Sequence, residues 1–193
     1  MQLFGSATSP YVRRVRIVAD ALGLTYGFTD VFTDAGQAAM RKVTPLWKVP
    51  AVELDGKVLW DSQAILDALV RRHGWGPLRP MTDPEWETNL ILAVNGALDA
   101  SVNVFYLRRE GVDVDAVPYL VKQRQRVDSA MAWVADQLRG TSFVDGRPGF
   151  AEIVLFTTLD WMRFRSTWDV AGHPRFAAFR DAWAEGWADT APR

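Results

Sequence analysis

The sequence predicts an α+β protein of two domains, in which a small mixed domain precedes an all-helical one. Strand-like and helix-like segments alternate through residues 1–76. Strand signals then stop at a segment rich in glycine and proline, His73-Gly-Trp-Gly-Pro-Leu-Arg-Pro80. Beyond it, apolar residues recur at helical spacing. We therefore assign residues 1–76 to the first domain, 77–83 to a linker and 84–193 to the second domain.

Composition narrows the possible classes of function. Of the 193 residues, 49% are hydrophobic, and the net charge of −1 does not favour nucleic acid or an anionic membrane as a partner. The chain contains no cysteine, which excludes a disulfide framework, a thiolate metal site and a cysteine nucleophile in the protein. The sequence opens without a secretory leader pattern, and no apolar run approaches membrane-spanning length, so we expect a cytoplasmic protein.

The first strand and the first helix are joined by a short turn rich in hydroxyl groups. Residues 1–5 are mostly apolar and indicate a strand. Ser9 and Pro10 then form a strong helix start, because a serine hydroxyl caps backbone N–H groups and proline suits the first helical position. Apolar residues follow at helical spacing, at Val12, Val15, Ala19 and Leu22, up to a stop at Gly23. The N-terminus of this helix favours a negative charge above the turn.

The rest of the first domain is predicted as a strand, a weak helix, two strands and a helix. These elements are expected at residues 25–31, 35–43, 51–54 and 58–60, with a final helix opening at Asp61-Ser62. Asp55-Gly56 is a two-residue hairpin signal between the last two strands. Because the order is βαβ followed by ββα, we expect the first two strands to run parallel and the last two antiparallel.

The second domain is predicted to contain four helices. They cover residues 84 to about 109, 120–138, 150–164 and 174–187, and proline begins the first and the last of them. The third helix is apolar enough to be buried on all sides. The two histidines, His73 and His173, are isolated, and no residue spacing indicates a metal site.

Three motifs in register resemble those of a known family. Ser9-Pro-Tyr-Val-Arg-Arg-Val-Arg16, Pro45-Leu-Trp-Lys-Val-Pro50 and Asp61-Ser-Gln-Ala-Ile65 have the order and spacing of a cytosolic-type glutathione transferase, and are most similar to small bacterial members with serine in the first motif. The helical half fits as well, so the resemblance spans the chain. It implies a thioredoxin-like βαβ-ββα first domain, an all-α second domain and assembly as a homodimer.

The resemblance also implies an activity. Glutathione would serve as co-substrate without a metal, and its thiolate would attack a small hydrophobic electrophile or a peroxide. The alternative is a non-catalytic protein of the same fold that binds glutathione or a hydrophobic ligand. A third possibility is a protein-interaction module that uses the helical domain. Neither nucleic acid nor a membrane is expected as a partner.

The loop before the third strand is implied to bind the glutathione backbone. In this family its proline is cis, which here corresponds to the Val49–Pro50 bond. Such a bend presents the N–H and C=O of Val49 to an extended peptide, which pairs with them as an added strand does. The alternative is that Pro50 only opens a strand. Lys48 either binds the glycine carboxylate of glutathione or is a solvated surface lysine.

Asp61 and Ser62 are implied to bind the γ-glutamyl end of glutathione. The hydroxyl and backbone N–H of Ser62 suit its carboxylate, helped by the helix N-terminus, and Asp61 suits its ammonium. The alternative is simple N-capping, because Asp and Ser are both good caps.

Ser9 is the candidate catalytic residue. A hydroxyl that donates a hydrogen bond to the glutathione sulfur, together with the following helix N-terminus, lowers the pKa of a thiol that is otherwise about 8.5. The alternative is that Ser9 only caps the helix. Other hydroxyls lie nearby on Ser6, Thr8 and Tyr11; Thr8, which we also place among the glutathione-binding residues, is the closest rival. Phe4 stands near the position of the hydroxyl in tyrosine-type members and cannot donate.

The electrophile pocket is assigned to aromatic residues that could line a cleft facing Ser9, namely Tyr11, Tyr106, Trp161 and Phe164. Most other aromatic side chains are expected in the core. Three arginines on the first helix could attract anions but fit a solvated helix face better: Arg13, Arg14 and Arg16.

Two positions depart from the family pattern. Trp47 stands where members usually have glycine, so the loop differs in shape or gains a cleft wall. At the buried helix of the second domain, a Ser/Thr-x-x-Asp capping box is replaced by Gly149-Phe-Ala-Glu152. We expect that helix to form with half of the reciprocal pair, because Glu152 can still accept from the backbone at the cap.

Overall fold

A computed structural model describes residues 1–190 of the chain. In chain order its elements are β1 (Gln2–Gly5), α1 (Pro10–Ala21), β2 (Gly27–Asp30), α2 (Asp34–Val43), β3 (Ala51–Leu54), β4 (Lys57–Trp60), α3 (Ser62–His73), α4 (Pro84–Arg109), α5 (Pro118–Gln137), α6 (Phe150–Arg165), α7 (Pro174–Ala184) and a 3₁₀ segment, Glu185–Thr190. The predicted order of strands and helices is confirmed.

Two compact units divide the chain. The first comprises Met1–Arg79 together with residues 187–190, and it contains the sheet and helices α1 to α3. The second comprises Pro80–Gly186 and contains α4 to α7. The architecture is therefore a thioredoxin-like α+β unit and an all-helical unit, as the sequence predicts.

The sheet of the first unit has the strand order β2-β1-β3-β4. β1 pairs in parallel with β2, whereas β3 pairs antiparallel with both β1 and β4. Asp55 and Gly56, which join β3 to β4, both have positive φ, at 52° and 73°. This is the conformation that a two-residue hairpin turn requires. The predicted strand directions and hairpin are thus confirmed.

The first helix buries more charge than its sequence suggests. Arg13 is 3% and Arg14 is 1% exposed, so the expected solvated face is wrong for both of them. Part of the physical reason is that the segment after α7 covers Arg13. α7 ends at Ala184, earlier than predicted, and the backbone leaves helical geometry at Trp187. Arg13 Nε then donates to Thr190 Oγ1 at 2.9 Å, and its Nη2 donates to the Trp187 carbonyl at 3.2 Å.

The helical unit is built around α4 and α6. α4 packs against α5 and α6, and α6 packs against α7. The side chains of α6 are buried continuously from Phe150 to Met162, as the sequence predicts for this helix. α4 has an 18-residue window of mean hydropathy 1.5, which by length and composition would suffice to cross a membrane, contrary to the sequence expectation. A core helix of a soluble protein meets the same criterion, and 44% of that window is buried.

A buried carboxylate holds the loop before α6. Glu152 is fully buried, and its carboxylate accepts from the N–H groups of Phe143 at 3.1 Å, Val144 at 3.4 Å and Gly149 at 2.8 Å. The bond from Gly149 is the half of the capping box that we predict to remain. Hydrogen bonds to a charged group are stronger than neutral ones, so this one side chain fixes both the helix start and the preceding turn.

We expect Glu152→Gln to lower the free energy of unfolding by about 2–3 kcal/mol, because an amide accepts these N–H groups less strongly and brings donors of its own. Urea denaturation measures the change. Glu110→Gln, at an exposed position after α4, is the matched control and should stay within about 0.5 kcal/mol of the wild type. Equal stability of the two variants would contradict this assignment.

Candidate active site

Strand register brings three sequence motifs to one edge of the sheet. Phe4 on β1 lies opposite Ala51 on β3, and Ala51 lies opposite Trp60 on β4. The residues one step further along, Gly5, Pro50 and Asp61, therefore lie side by side at this edge. Both α1 and α3 begin just beyond this edge, each with its N-terminus there. The edge is thus a place where helix dipoles and backbone N–H groups favour an anion.

Ser9 stands at the start of α1. Its N–H donates to the carbonyl of Ser6 at 3.1 Å, which closes the turn after β1. Its Oγ accepts from the N–H of Val12 at 3.3 Å, so Ser9 does cap the helix. A serine hydroxyl has two acceptor lone pairs and one hydrogen, so this bond leaves the hydrogen available to a ligand. Capping and donation to a sulfur are therefore compatible.

A glycine at the end of β1 lets the first turn of α1 come close. A Cβ built on Gly5 would lie only 2.6 Å from Cγ1 of Val12, a distance that packed atoms do not tolerate. Val12 itself is fully buried. The close approach of strand and helix therefore requires glycine at position 5.

Arg14 links the two helix starts, and the sequence reasoning missed this role. Its Nη1 donates to Ser62 Oγ at 3.4 Å, and its guanidinium lies 4.9 Å from the centre of the Tyr11 ring. Arg14 and Ser62 are both buried, at 1% and 5% exposure. A buried cation beside the start of α3 adds to the positive potential there. The sequence gives one sign of this role: Arg14 follows Pro10 by four residues, so it lies about one turn after the predicted helix start.

The loop before β3 has the implied backbone geometry. The Val49–Pro50 peptide bond is cis, as the family resemblance implies. Pro50 is buried, Val49 is half-buried and Lys48 is exposed. Trp47 has a φ of 52°, in the left-handed region, where glycine, the residue that the family pattern leads us to expect here, carries no steric penalty. Its indole is exposed and lies under the guanidinium of Arg41, 4.8 Å away.

Asp61 caps α3 in a strained conformation. Its Oδ1 accepts from the N–H groups of Gln63 at 2.9 Å and Ala64 at 3.2 Å. Its φ and ψ of 73° and 127° lie in a region that residues with a side chain rarely adopt. Strain of this kind costs about 1–3 kcal/mol and concentrates at ligand sites. The carboxylate remains exposed beside Ser62, whose N–H is one of the orphan donors of the helix start.

The arrangement suits a ligand with a carboxylate and an amino group. Ser62 and the start of α3 offer donors to a carboxylate, and the exposed carboxylate of Asp61 offers an acceptor to an ammonium. Thr8 is half-buried in the turn before Ser9, two residues before α1 begins. Among residues 1–190, no group of three or more His, Asp or Glu side chains is placed to hold a metal ion.

The four residues assigned to the electrophile pocket do not all belong to the same unit. Tyr11 is in the first unit, half-buried beneath Arg14. The other three assigned residues belong to the helical unit, where Tyr106 and Phe164 are exposed and Trp161 is buried. Phe105, which the sequence reasoning did not assign to the pocket, connects two of them: its ring lies 5.3 Å from that of Tyr106 and 5.7 Å from that of Trp161.

Known families match both units. The model described as "Glutathione S-transferase, N-terminal domain" matches residues 3–79, and the model described as "Glutathione S-transferase, C-terminal domain" matches residues 64–182. Glutathione S-transferase D7 of Drosophila melanogaster is 27% identical, over 100% of this chain and 84% of its own length.

Solved structures share the whole architecture. A glutathione S-transferase of Methylobacterium radiotolerans, in complex with glutathione sulfonate, has a TM-score of 0.85 and 26% identity, covering 99% of this chain and 94% of that one. A glutathione transferase family member from Pseudomonas fluorescens, with bound glutathione, has a TM-score of 0.78 and 26% identity, covering 100% and 98%.

The strain at Asp61 predicts an order of stability among variants. Asp61→Ala loses the cap and keeps the strain, whereas Asp61→Gly loses the cap and relieves the strain. We expect Asp61→Gly to be more stable than Asp61→Ala, with a free energy of unfolding at least about 1 kcal/mol higher in urea denaturation.

Asp83, the cap of α4, provides the matched control because its φ is −131°. The difference in the free energy of unfolding between Asp83→Gly and Asp83→Ala should be smaller than the difference between Asp61→Gly and Asp61→Ala. Equal differences at the two positions would show that the backbone at Asp61 is not strained.

Proposed function

Because this chain belongs to the glutathione S-transferase family, we propose that it binds glutathione at the edge of the sheet and uses Ser9 to stabilise the glutathione thiolate. The thiolate would then attack a small hydrophobic electrophile or a peroxide. The observation that carries the proposal is the register of β1, β3 and β4, which gathers Ser9, Val49 and Ser62 around one edge. Glutathione sulfonate in one solved relative and glutathione in another support the same ligand.

The binding roles follow from the chemistry of the tripeptide. Ser62 and the start of α3 would donate hydrogen bonds to the γ-glutamyl carboxylate, while the carboxylate of Asp61 would accept from its ammonium. The backbone of Val49 would pair with the extended tripeptide, and Lys48 would reach its terminal carboxylate. In the described residues, no hydrogen bond joins the backbone of Val49 to another part of the chain, so its N–H and C=O are available for this pairing.

Glutathione supplies the reactive sulfur, and the protein supplies the conditions that keep it ionised. The hydroxyl hydrogen of Ser9 would donate to the sulfur, since its oxygen is already held by the N–H of Val12. The N-terminus of α1 adds favourable potential at the same point. Each stabilises the thiolate relative to the thiol and so lowers the thiol pKa. A chain without cysteine can therefore carry out thiol chemistry.

Further expectations belong to this proposal. The residues assigned to contact with the electrophile remain Tyr11, Tyr106, Trp161 and Phe164. Assembly as a homodimer and a cytoplasmic location are also part of the proposal, and membership of the family supports them. No observation favours the non-catalytic alternative, and the kinetic comparison below distinguishes it from the enzyme.

We expect Ser9→Ala to lower kcat/KM about 10- to 100-fold with 1-chloro-2,4-dinitrobenzene or cumene hydroperoxide. One hydrogen bond to a charged group is worth about 1.5–3 kcal/mol, which corresponds to about one to two pKa units of the bound thiol. Because the lost bond favours the thiolate, the thiol pKa rises, and the rising limb of the pH–rate profile should move to higher pH. Steady-state kinetics between pH 5.5 and 8.5 measure both effects.

Thr8→Ala is the matched control: it should lower kcat/KM less than Ser9→Ala does, through a higher KM for glutathione, and leave the rising limb of the pH–rate profile in place. A larger fall in kcat/KM for Thr8→Ala than for Ser9→Ala would assign the catalytic role to Thr8. Equal, slow rates for the wild type and both variants across an electrophile panel would support the non-catalytic alternative.

Ser62→Ala tests binding separately from chemistry. It removes a contact made equally to bound glutathione and to the transition state, so the KM for glutathione should rise about tenfold while kcat stays nearly constant. Ser129→Ala, at an exposed position on α5, should leave both constants unchanged. A parallel fall in kcat would show that Ser62 acts on the sulfur rather than on the γ-glutamyl end.

A further inference from the structure

The helical unit contains a cavity of its own. Its volume is about 750 Å³, and all of its lining residues lie between Ser101 and His173. The C-terminal half of α4, the first half of α5, the end of α6 and the segment before α7 enclose it. Sites for small organic molecules range from about 300 to 1,000 Å³, so this cavity is large enough for one.

One wall of the cavity is apolar and rigid. Val104 and Val127, both buried, line it together with Phe105. Trp168 completes the wall: its ring stacks on that of His173, with centroids 4.1 Å apart and planes 17° apart. Its Nε1 also donates to Asp128 at 2.9 Å, which fixes the indole. The wall therefore suits a flat apolar group.

The charged side chains of the cavity are mainly cationic. Four arginines line it against two aspartates. The aspartates are engaged, because Asp128 accepts from Trp168 and Asp169 accepts from the N–H of Gly172. Arg124 is paired with Asp115. The other three arginines, Arg108, Arg109 and Arg165, have no acidic side chain of residues 1–190 within ion-pair distance.

Two donors at the end of α6 are buried without a partner. Arg165 Nε and Thr167 Oγ1 have no hydrogen bond within the described part of the chain, and both residues line the cavity. The guanidinium of Arg165 is held over two rings, 4.5 Å from the centre of Phe164 and 5.2 Å from that of Phe105. Buried donors of this kind are costly unless a ligand or water satisfies them.

We propose that this cavity binds an organic carboxylate with a flat apolar body. The carboxylate would accept from Arg165 and Thr167, with Arg108 at the rim, and the apolar body would lie against Trp168 and Phe105. A planar guanidinium matches a carboxylate with two parallel hydrogen bonds. Inorganic phosphate would satisfy the donors but leave the apolar wall uncovered. The site lies wholly within the helical unit and does not depend on the proposed thiol chemistry.

Isothermal titration calorimetry of the full chain with 1-naphthoate tests the proposal. We expect 1-naphthoate to bind about tenfold more tightly than neutral 1-naphthamide, and inorganic phosphate to compete poorly. Arg165→Gln should weaken naphthoate binding about tenfold. The matched control is Arg163→Gln, which removes an exposed arginine of the same helix outside the cavity lining, and it should change binding less than about twofold.

Two further variants keep the test decisive. Arg108 is exposed, so Arg108→Gln should weaken binding without disturbing the fold even if Arg165→Gln does not fold. Ser62→Ala should leave naphthoate binding unchanged, which separates this site from the proposed glutathione site. The proposal is overturned by any of these results: no binding of naphthoate, equal affinity for naphthamide, equal competition by phosphate, or unchanged binding in Arg108→Gln.

Discussion

The pairing of β3 between β1 and β4 is the constraint on which the candidate active site depends. β1 ends at the edge of the sheet where β3 begins, and β4 ends at that same edge because it returns antiparallel to β3. Two helices therefore start there, and the loop before β3 arrives between them. A shift of β3 by one residue would turn each of its side chains to the other face and separate these segments.

The buried side chain of Arg14 stabilises this arrangement. A guanidinium has five donors in a fixed plane and stays charged, so burying it requires partners on several sides. Ser62 is one partner, and the Tyr11 ring is a neighbour. The same side chain thus connects α1 with α3 and adds positive potential near the proposed carboxylate subsite.

The helical unit uses a buried charge in a similar way. Glu152 accepts from the backbone N–H groups of Phe143, Val144 and Gly149, and so holds the start of α6 although Gly149 has no side chain to cap the helix. The carboxylate fixes the start of α6, and the other end of that helix carries Arg165 into the cavity beside Trp168. The position of α6 therefore determines where both the Glu152 carboxylate and the Arg165 guanidinium lie.

The sequence by itself determined the order of elements, the hairpin at Asp55-Gly56 and the three motifs of the first unit, because capping, turn and periodicity signals are local. It also indicated the buried character of α6, since an apolar run needs no partner to be recognised. Only the tertiary structure decided the burial of Arg13 and Arg14, the link from Arg14 to Ser62 and the cavity around Arg165. Each of these depends on residues far apart in the chain: Arg14 and Ser62 are 48 positions apart, and Arg13 meets Thr190 across 177. No local pattern records which distant element will cover a given side chain.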